Sequence, residues 1–131
     1  MGVMHMIKFE SNVLYTKTNE WAKNFGEIIR VGIDDYSQSS LGDIVHVEVA
    51  NEGTHVVSGK SFGVIEATKS VSDINSPVSG VIVRGNPAVK ESPAILNHDP
   101  FGEGWIAEIK PENISELDSL MNAEEYKRFI R

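Results

Sequence analysis

Lys69 is the residue best placed to do chemistry. It sits in Glu66-Ala67-Thr68-Lys69-Ser70, between two strand-like apolar runs within the stretch from Phe62 to Gly80. Val57-Ser58-Gly59 and Val78-Ser79-Gly80 repeat one tripeptide almost symmetrically about it, and Glu66 and Asp73 bracket it with no basic neighbour. Most lysines in turns are simply solvated. A lysine at the tip of a near-symmetric hairpin has a further use, because an attaching enzyme can reach its amine. The amide formed there removes the charge and leaves a long neutral tether. The predicted chemistry is covalent attachment of a prosthetic arm at Lys69.

Composition removes most other chemistries. The 131-residue chain has no cysteine, which excludes disulfides, thiolate zinc sites and cysteine nucleophiles. Any sulfur redox chemistry must come from a cofactor. His5, His46, His55 and His98 lack metal-ligand spacing and read as structural or surface residues. No nucleophile elbow, P-loop or dinucleotide glycine fingerprint occurs. Net charge is -7, from 12 Lys+Arg against 19 Asp+Glu, with no cation cluster to displace counterions from phosphates. Nucleic acid is therefore not an expected partner, and an acidic surface suits partners with basic patches. No apolar run approaches the ~20 residues of a membrane span. The start, Met1-Gly2-Val3-Met4-His5-Met6, lacks a signal-peptide core, and Met6 stands where a myristoylation pattern needs Ser or Thr. The expected location is cytoplasmic, with no membrane partner.

The elements that must position Lys69 are mostly short strands. Val13 to Trp21 reads as a first strand ending near Asn19, forming a hairpin with a second over Glu27 to Ile33. Asp34 as N-cap and Gly42 as terminator predict a short helix over 34–42. Val45, Val47 and Val49 alternate with His46 and Glu48, the pattern of a half-buried strand. Short strands are expected at Val56-Val57, on both sides of Lys69, at Val81 to Val83 and from Trp105 to Lys110. Glu91-Ser92-Pro93 opens a loop or short helix carrying Ile95 and Leu96. Ser115 and Asn122 begin C-terminal helices, with Tyr126, Phe129 and Ile130 as a docking stripe and Glu124 paired with Arg128. Trp21 and Trp105 are expected core anchors. The predicted class is mainly β, a β-sandwich or flattened barrel, with a short helix near 34–42 and C-terminal helices.

Glu66-Ala67-Thr68-Lys69, followed by Ser72-Asp73-Ile74-Asn75-Ser76-Pro77-Val78-Ser79-Gly80, closely resembles the lipoylation segment of the glycine cleavage system H-protein family. The resemblance runs from about Val13 to the end of the chain. It includes Asn19-Glu20-Trp21, Val31-Gly32-Ile33, Leu41-Gly42-Asp43, Phe62-Gly63, Leu96-Asn97, Gly104-Trp105 and Ser115-Glu116-Leu117. The family usually reads Glu-Ser-Val-Lys-Ala at the tip, where this chain has Ala67, Thr68 and Ser70. Asn19 stands where His commonly precedes the Glu-Trp pair.

The resemblance implies a single lipoyl-carrier domain over residues 1–131 with terminal extensions, of the barrel-sandwich hybrid type. It implies lipoic acid bound covalently to Lys69, in a carrier rather than an enzyme. By similarity, the P-protein loads an aminomethyl group from glycine onto the arm, the T-protein removes it, and the L-protein reoxidises the dithiol. A lipoate-attaching enzyme is a further implied partner. Glu20 and Asp73 are candidates for holding the arm, since a carboxylate attracts the protonated amine of the loaded group. The other reading of both is as surface acids at strand ends. Alternatives are a relay passing lipoyl or octanoyl groups, a biotinyl carrier, and an unmodified β-sandwich interaction module. Thr68 and Ser70 argue against biotin, whose carriers typically flank the lysine with methionines.

Overall fold

The computed structural model describes residues 6–130; His5 and the Met1-Gly2 start lie outside them. Among the described residues, nine strands form two antiparallel sheets that are not closed into a barrel. The larger sheet has the order β1 (Leu14–Tyr15), β2 (Glu20–Asn24), β3 (Ile29–Ile33), β9 (Ala107–Pro111), β8 (Gly80–Gly85), β5 (His55–Val56). The smaller has β4 (Ile44–Val49), β6 (Ser61–Ala67) and β7 (Val71–Asn75), so β7 is an edge. Helices are short: α1 (Asp35–Leu41), α2 (Pro87–Glu91), α3 (Ile95–His98), a 3-10 helix over Ile114–Ser119, and α4 (Ala123–Phe129). The mainly β flattened sandwich expected from the sequence is the fold observed. No helix among the described residues is long and apolar enough to cross a membrane.

The main core lies between the sheets. Val31, Ile33, Ile82 and Ile109 of the larger sheet pack with Val47, Ile65 and Ile74 of the smaller. A second, aromatic cluster lies outside the larger sheet, where Val13, Tyr15, Trp21 and Tyr126 are buried with Phe9 and Phe101 against them. Tyr15 and Tyr126 stack with centroids 4.4 Å apart and planes 4° from parallel. Trp21 lies over Gly32, where a Cβ would come within 2.6 Å of the indole, and its Nε1 donates to the Pro100 carbonyl at 3.0 Å.

The first strand is not continuous to Asn19. Residues 16–19 turn the chain, so β1 and β2 are themselves a hairpin, and the partner of β3 is β2. Asn19 takes φ of 73°, a left-handed conformation that asparagine tolerates better than most side chains. In β4 a register shift between Ile44 and His46 exposes Val45 and buries Ile44 and Val47, which overrides the expected Val45-Val47-Val49 face. Asn86 and Pro87 start α2, and the Asn86 side chain accepts from the Ala88 amide.

Trp105 is half-buried: one side packs against the aromatic cluster, and the Arg30 and Arg84 guanidinium groups flank it at 4.8 and 5.0 Å, so it closes the rim of that core instead of filling its centre as Trp21 does. Glu108 bonds both of those arginines. Of the C-terminal stripe only Tyr126 is fully buried, and it docks on the aromatic cluster. Phe129 stays exposed. Glu124 pairs with Lys127 at 3.0 Å instead of Arg128. The Asn122–Glu125 capping box forms as expected.

Candidate functional site

Lys69 occupies the middle of the turn at 68–70 between β6 and β7, and it is exposed. The hairpin stem is firm on both sides. Ala67 N–H donates to the Ser70 carbonyl at 2.8 Å, closing the turn. Thr68 N–H donates to the Asp43 carbonyl at 3.0 Å, and the Thr68 hydroxyl approaches the same oxygen at 3.4 Å. Asp43 lies in the corner between α1 and β4, which Asn97 holds from the other side. Asn97 Oδ1 accepts from Ile44 N–H at 2.9 Å, and its Nδ2 donates to the Gly42 carbonyl at 2.9 Å and to Gln38 Oε1 at 3.0 Å. At the base the two repeated tripeptides meet, with Ser58 N–H donating to Ser79 Oγ at 3.0 Å. Lys69 itself has no hydrogen-bond or ion-pair partner among the described residues. The result is a pinned tip carrying a free amine.

Glu20 is not a surface acid. Side chains alternate along a strand, so Glu20 shares a face with Ala22, which lies in the main core, while Trp21 points to the aromatic cluster. Only 1% of Glu20 is exposed. Its carboxylate reaches the open edge of the smaller sheet, where Oε2 accepts from Asn75 N–H at 3.0 Å. Oε1 accepts from the hydroxyls of Thr16 at 2.6 Å and Thr18 at 2.5 Å. Burial raises the pKa of this carboxyl above its ordinary value. The two hydroxyls and the Asn75 amide oppose that shift, and neighbouring Asp34 adds to it.

Asp73 sits on the same β7 strand, two residues before Asn75, and is exposed; the Ser61 hydroxyl lies 3.3 Å from its Oδ1. The two candidate acids are thus placed around the far half of β7, not beside Lys69. From Val71 to Asn75 the strand covers roughly 13 Å at ~3.3 Å per residue.

A third acid went unassigned in the sequence except as a helix cap. Asp34 is 1% exposed, and its Oδ1 caps α1 by accepting from Ser37 N–H at 2.7 Å. Burial pushes its carboxyl up to about 6, opposed by the Tyr126 hydroxyl and the Ser37 amide. The Tyr126 hydroxyl faces this carboxylate, yet its single proton goes to Asn19 Oδ1 at 2.9 Å, so Asp34 Oδ2 has no hydrogen-bond donor of its own. Burial likewise raises the Tyr126 hydroxyl, and Asp34 raises it further.

Two clefts of about 340 Å³ flank this region, one between Tyr15–Thr18 and Ser119–Met121, the other between β4 and α2. Neither is lined by Lys69, Glu20 or Asp73.

Comparison with known proteins decides the family. The model of the glycine cleavage H-protein family matches residues 13–131. The chain belongs to the glycine cleavage H-protein family. The H protein of Bacteroides fragilis is 45% identical over 124 residues, covering 95% of this chain and 98% of that one. The H protein of Thermus thermophilus is 46% identical over 116 residues, covering 88% and 91%. A crystal structure of the H protein from Mycobacterium marinum superposes with a TM-score of 0.84 at 34% identity, covering 92% of this chain and 97% of that one. H proteins are non-catalytic carrier components of the glycine cleavage system.

Sequence reasoning about this family member missed Thr16, Thr18, Asn97 and Tyr126 as residues that shape the site. The Thr-x-Thr-x-Glu spacing carried a signal, because residues at i, i+2 and i+4 of a turn-and-strand segment can converge on one carboxylate. Asn97 and Tyr126 act across long sequence separations and left no local trace.

Proposed function

We propose that this chain is the shuttle of the glycine cleavage system. It would carry an aminomethyl group from the P-protein to the T-protein on a lipoyl-lysine at Lys69, and be reoxidised by the L-protein. The observation that carries this reading is the exposed, unpartnered Lys69 amine on a hairpin tip pinned at Thr68, in a chain of the H-protein family. The residues present fit a long acyl arm: the lysine is reachable by an attaching enzyme, and the open edge of β7 leads from it toward a buried carboxylate. When bound, the lipoyl group supplies the disulfide chemistry that a chain without cysteine lacks. The same reading makes residues 1–131 one lipoyl-carrier domain.

The chain's own residues supply position and polarity. Glu20, held by Thr16, Thr18 and Asn75, offers a charged acceptor away from bulk water for a protonated amine. Asp73 offers a second, exposed acid closer to the tip. Asp43 and Glu66 give the Lys69 end an acidic rim, with Val45 and Val71 exposed among them. Such a surface suits enzymes with basic rims around an apolar contact.

The test is reconstitution. Lipoylated chain incubated with P-protein and labelled glycine is expected to bind label, and adding T-protein with tetrahydrofolate is expected to release it; Lys69→Arg should bind none. Wild-type lipoylated chain that acquires no label would refute the shuttle. Glu20→Ala should speed loss of the bound aminomethyl group by about tenfold or more, the scale of one charge-assisted hydrogen bond. An unchanged decay rate would remove Glu20 from the holding role.

A further inference from the structure

We infer that Tyr126, on the C-terminal helix, is a positioning residue for Glu20, acting through Asn19 to fix the turn that carries the buried carboxylate. This rests on the arm-holding role proposed for Glu20. Tyr126 is fully buried, stacked on Tyr15 at 4.4 Å, with Phe9 edge-on at 6.1 Å. Its ring is therefore fixed by packing, and its hydroxyl is delivered to one place. There it donates to Asn19 Oδ1 at 2.9 Å, a contact spanning 107 residues of sequence.

Asn19 is the pivot of the site. Among the described residues it alone combines a side chain beyond glycine with positive φ. That geometry lets its N–H donate to the Thr16 carbonyl at 3.3 Å while its carbonyl accepts from Asp34 N–H at 3.2 Å. One residue thus ties the Thr16–Glu20 turn to the start of α1. The turn brings the Thr16 and Thr18 hydroxyls onto Glu20, and Glu20 follows Asn19 directly. Fixing Asn19 fixes the direction in which Glu20 leaves for Asn75. The tyrosine hydroxyl meets the site at Asn19 and faces Asp34, whose own N–H donates to the Asn19 carbonyl, so both contacts converge on the turn.

The substitution Tyr126→Phe keeps the ring and the stacking and deletes only the hydroxyl, which donates to Asn19 and faces Asp34. Asn19→Gly keeps access to positive φ and deletes only the acceptor. In the unmodified protein, hydrogen exchange of the Asn75 amide, which donates to Glu20, is expected to quicken about threefold to tenfold in both variants, the scale of one hydrogen bond. The Val31 amide, in the β2–β3 hairpin, should keep its rate. In lipoylated, loaded protein the aminomethyl group should decay faster by a similar factor in each variant. The double variant should be no faster than either, because both remove the same contact.

Local exchange at Asn75 unchanged in Tyr126→Phe and Asn19→Gly would overturn the proposal. So would Asn75 and Val31 rates rising together, which is the signature of general destabilisation. Loaded-arm decay that quickens in Glu20→Ala but not in Tyr126→Phe would overturn the positioning role alone. Decay unchanged in Glu20→Ala would overturn the arm-holding reading as well.

Discussion

Replacing Asp34 by Asn removes a buried charge while keeping its shape and its capping oxygen. The Asp34 carboxyl rises from 3.8 to about 6 because burial penalises the ionised form. Below pH 3.8 the group is protonated in both folded and unfolded chains and costs nothing. Between 3.8 and about 6 the unfolded chain releases its proton first, so stability falls as pH rises, and above about 6 the whole penalty is in place. At ~1.4 kcal/mol per tenfold change in proton affinity, the full penalty is about 3 kcal/mol. Asn caps a helix about as well as Asp, and losing the favourable charge at the start of α1 costs roughly 0.5 kcal/mol. Asp34→Asn is therefore expected to stabilise the fold by about 2 kcal/mol at pH 7.5, with the gain shrinking toward zero near pH 4. Urea unfolding at several pH values measures this directly. Glu20, whose carboxyl is raised by burial and further by the Asp34 charge, contributes the same sign of slope to both proteins, and losing the Asp34 charge relieves part of its shift, which adds to the gain at pH 7.5. Equal stability at pH 7.5, or a gain that does not shrink on acidification, would refute the reasoning.

Three further outcomes follow from packing and bonding. Gly80→Ala places a methyl group against the Lys110 backbone carbonyl across the β8–β9 ladder, so it should destabilise by about 3 kcal/mol or prevent folding, as seen by thermal unfolding. Thr68→Val keeps the backbone bond to Asp43 and loses only the long hydroxyl contact at 3.4 Å. Its stability should stay within about 0.5 kcal/mol of wild type, and modification at Lys69 should proceed at the same rate, measured with a lipoate-attaching enzyme. Glu108→Gln weakens the bonds to both Arg30 and Arg84 and loosens the guanidinium pair around Trp105. It should cost about 1 kcal/mol and shift Trp105 fluorescence.

Local pattern made the central hairpin legible. The polar tip between apolar runs, the repeated Val-Ser-Gly and the break at Ser76-Pro77 all describe the β6–β7 unit that the fold contains. The α1 caps and the Asn122 capping box were equally local and formed where their residues stood. What failed depended on distant partners. Val13 to Trp21 has enough β-branched and aromatic residues to read as one strand, but Asn19 at positive φ folds it into a hairpin, and that conformation is held by Asp34 and Tyr126. Glu20 reads as a surface acid until the strand is phased by Ala22 and Trp21, which places it between the sheets. Trp105 reads as fully core because of its size, whereas it sits at the rim of the aromatic cluster under two arginines from β3 and β8. The bulge in β4 hides because one residue's slip inverts an alternation that looks regular.

The most direct test of the account is the intact mass of the protein from cells supplied with lipoate, alongside Lys69→Arg. The account predicts a lipoyl-sized increase confined to Lys69 in the wild type and its complete absence in Lys69→Arg. A wild-type protein with no modification, a biotin-sized increase, or a lipoyl group that persists in Lys69→Arg would contradict it.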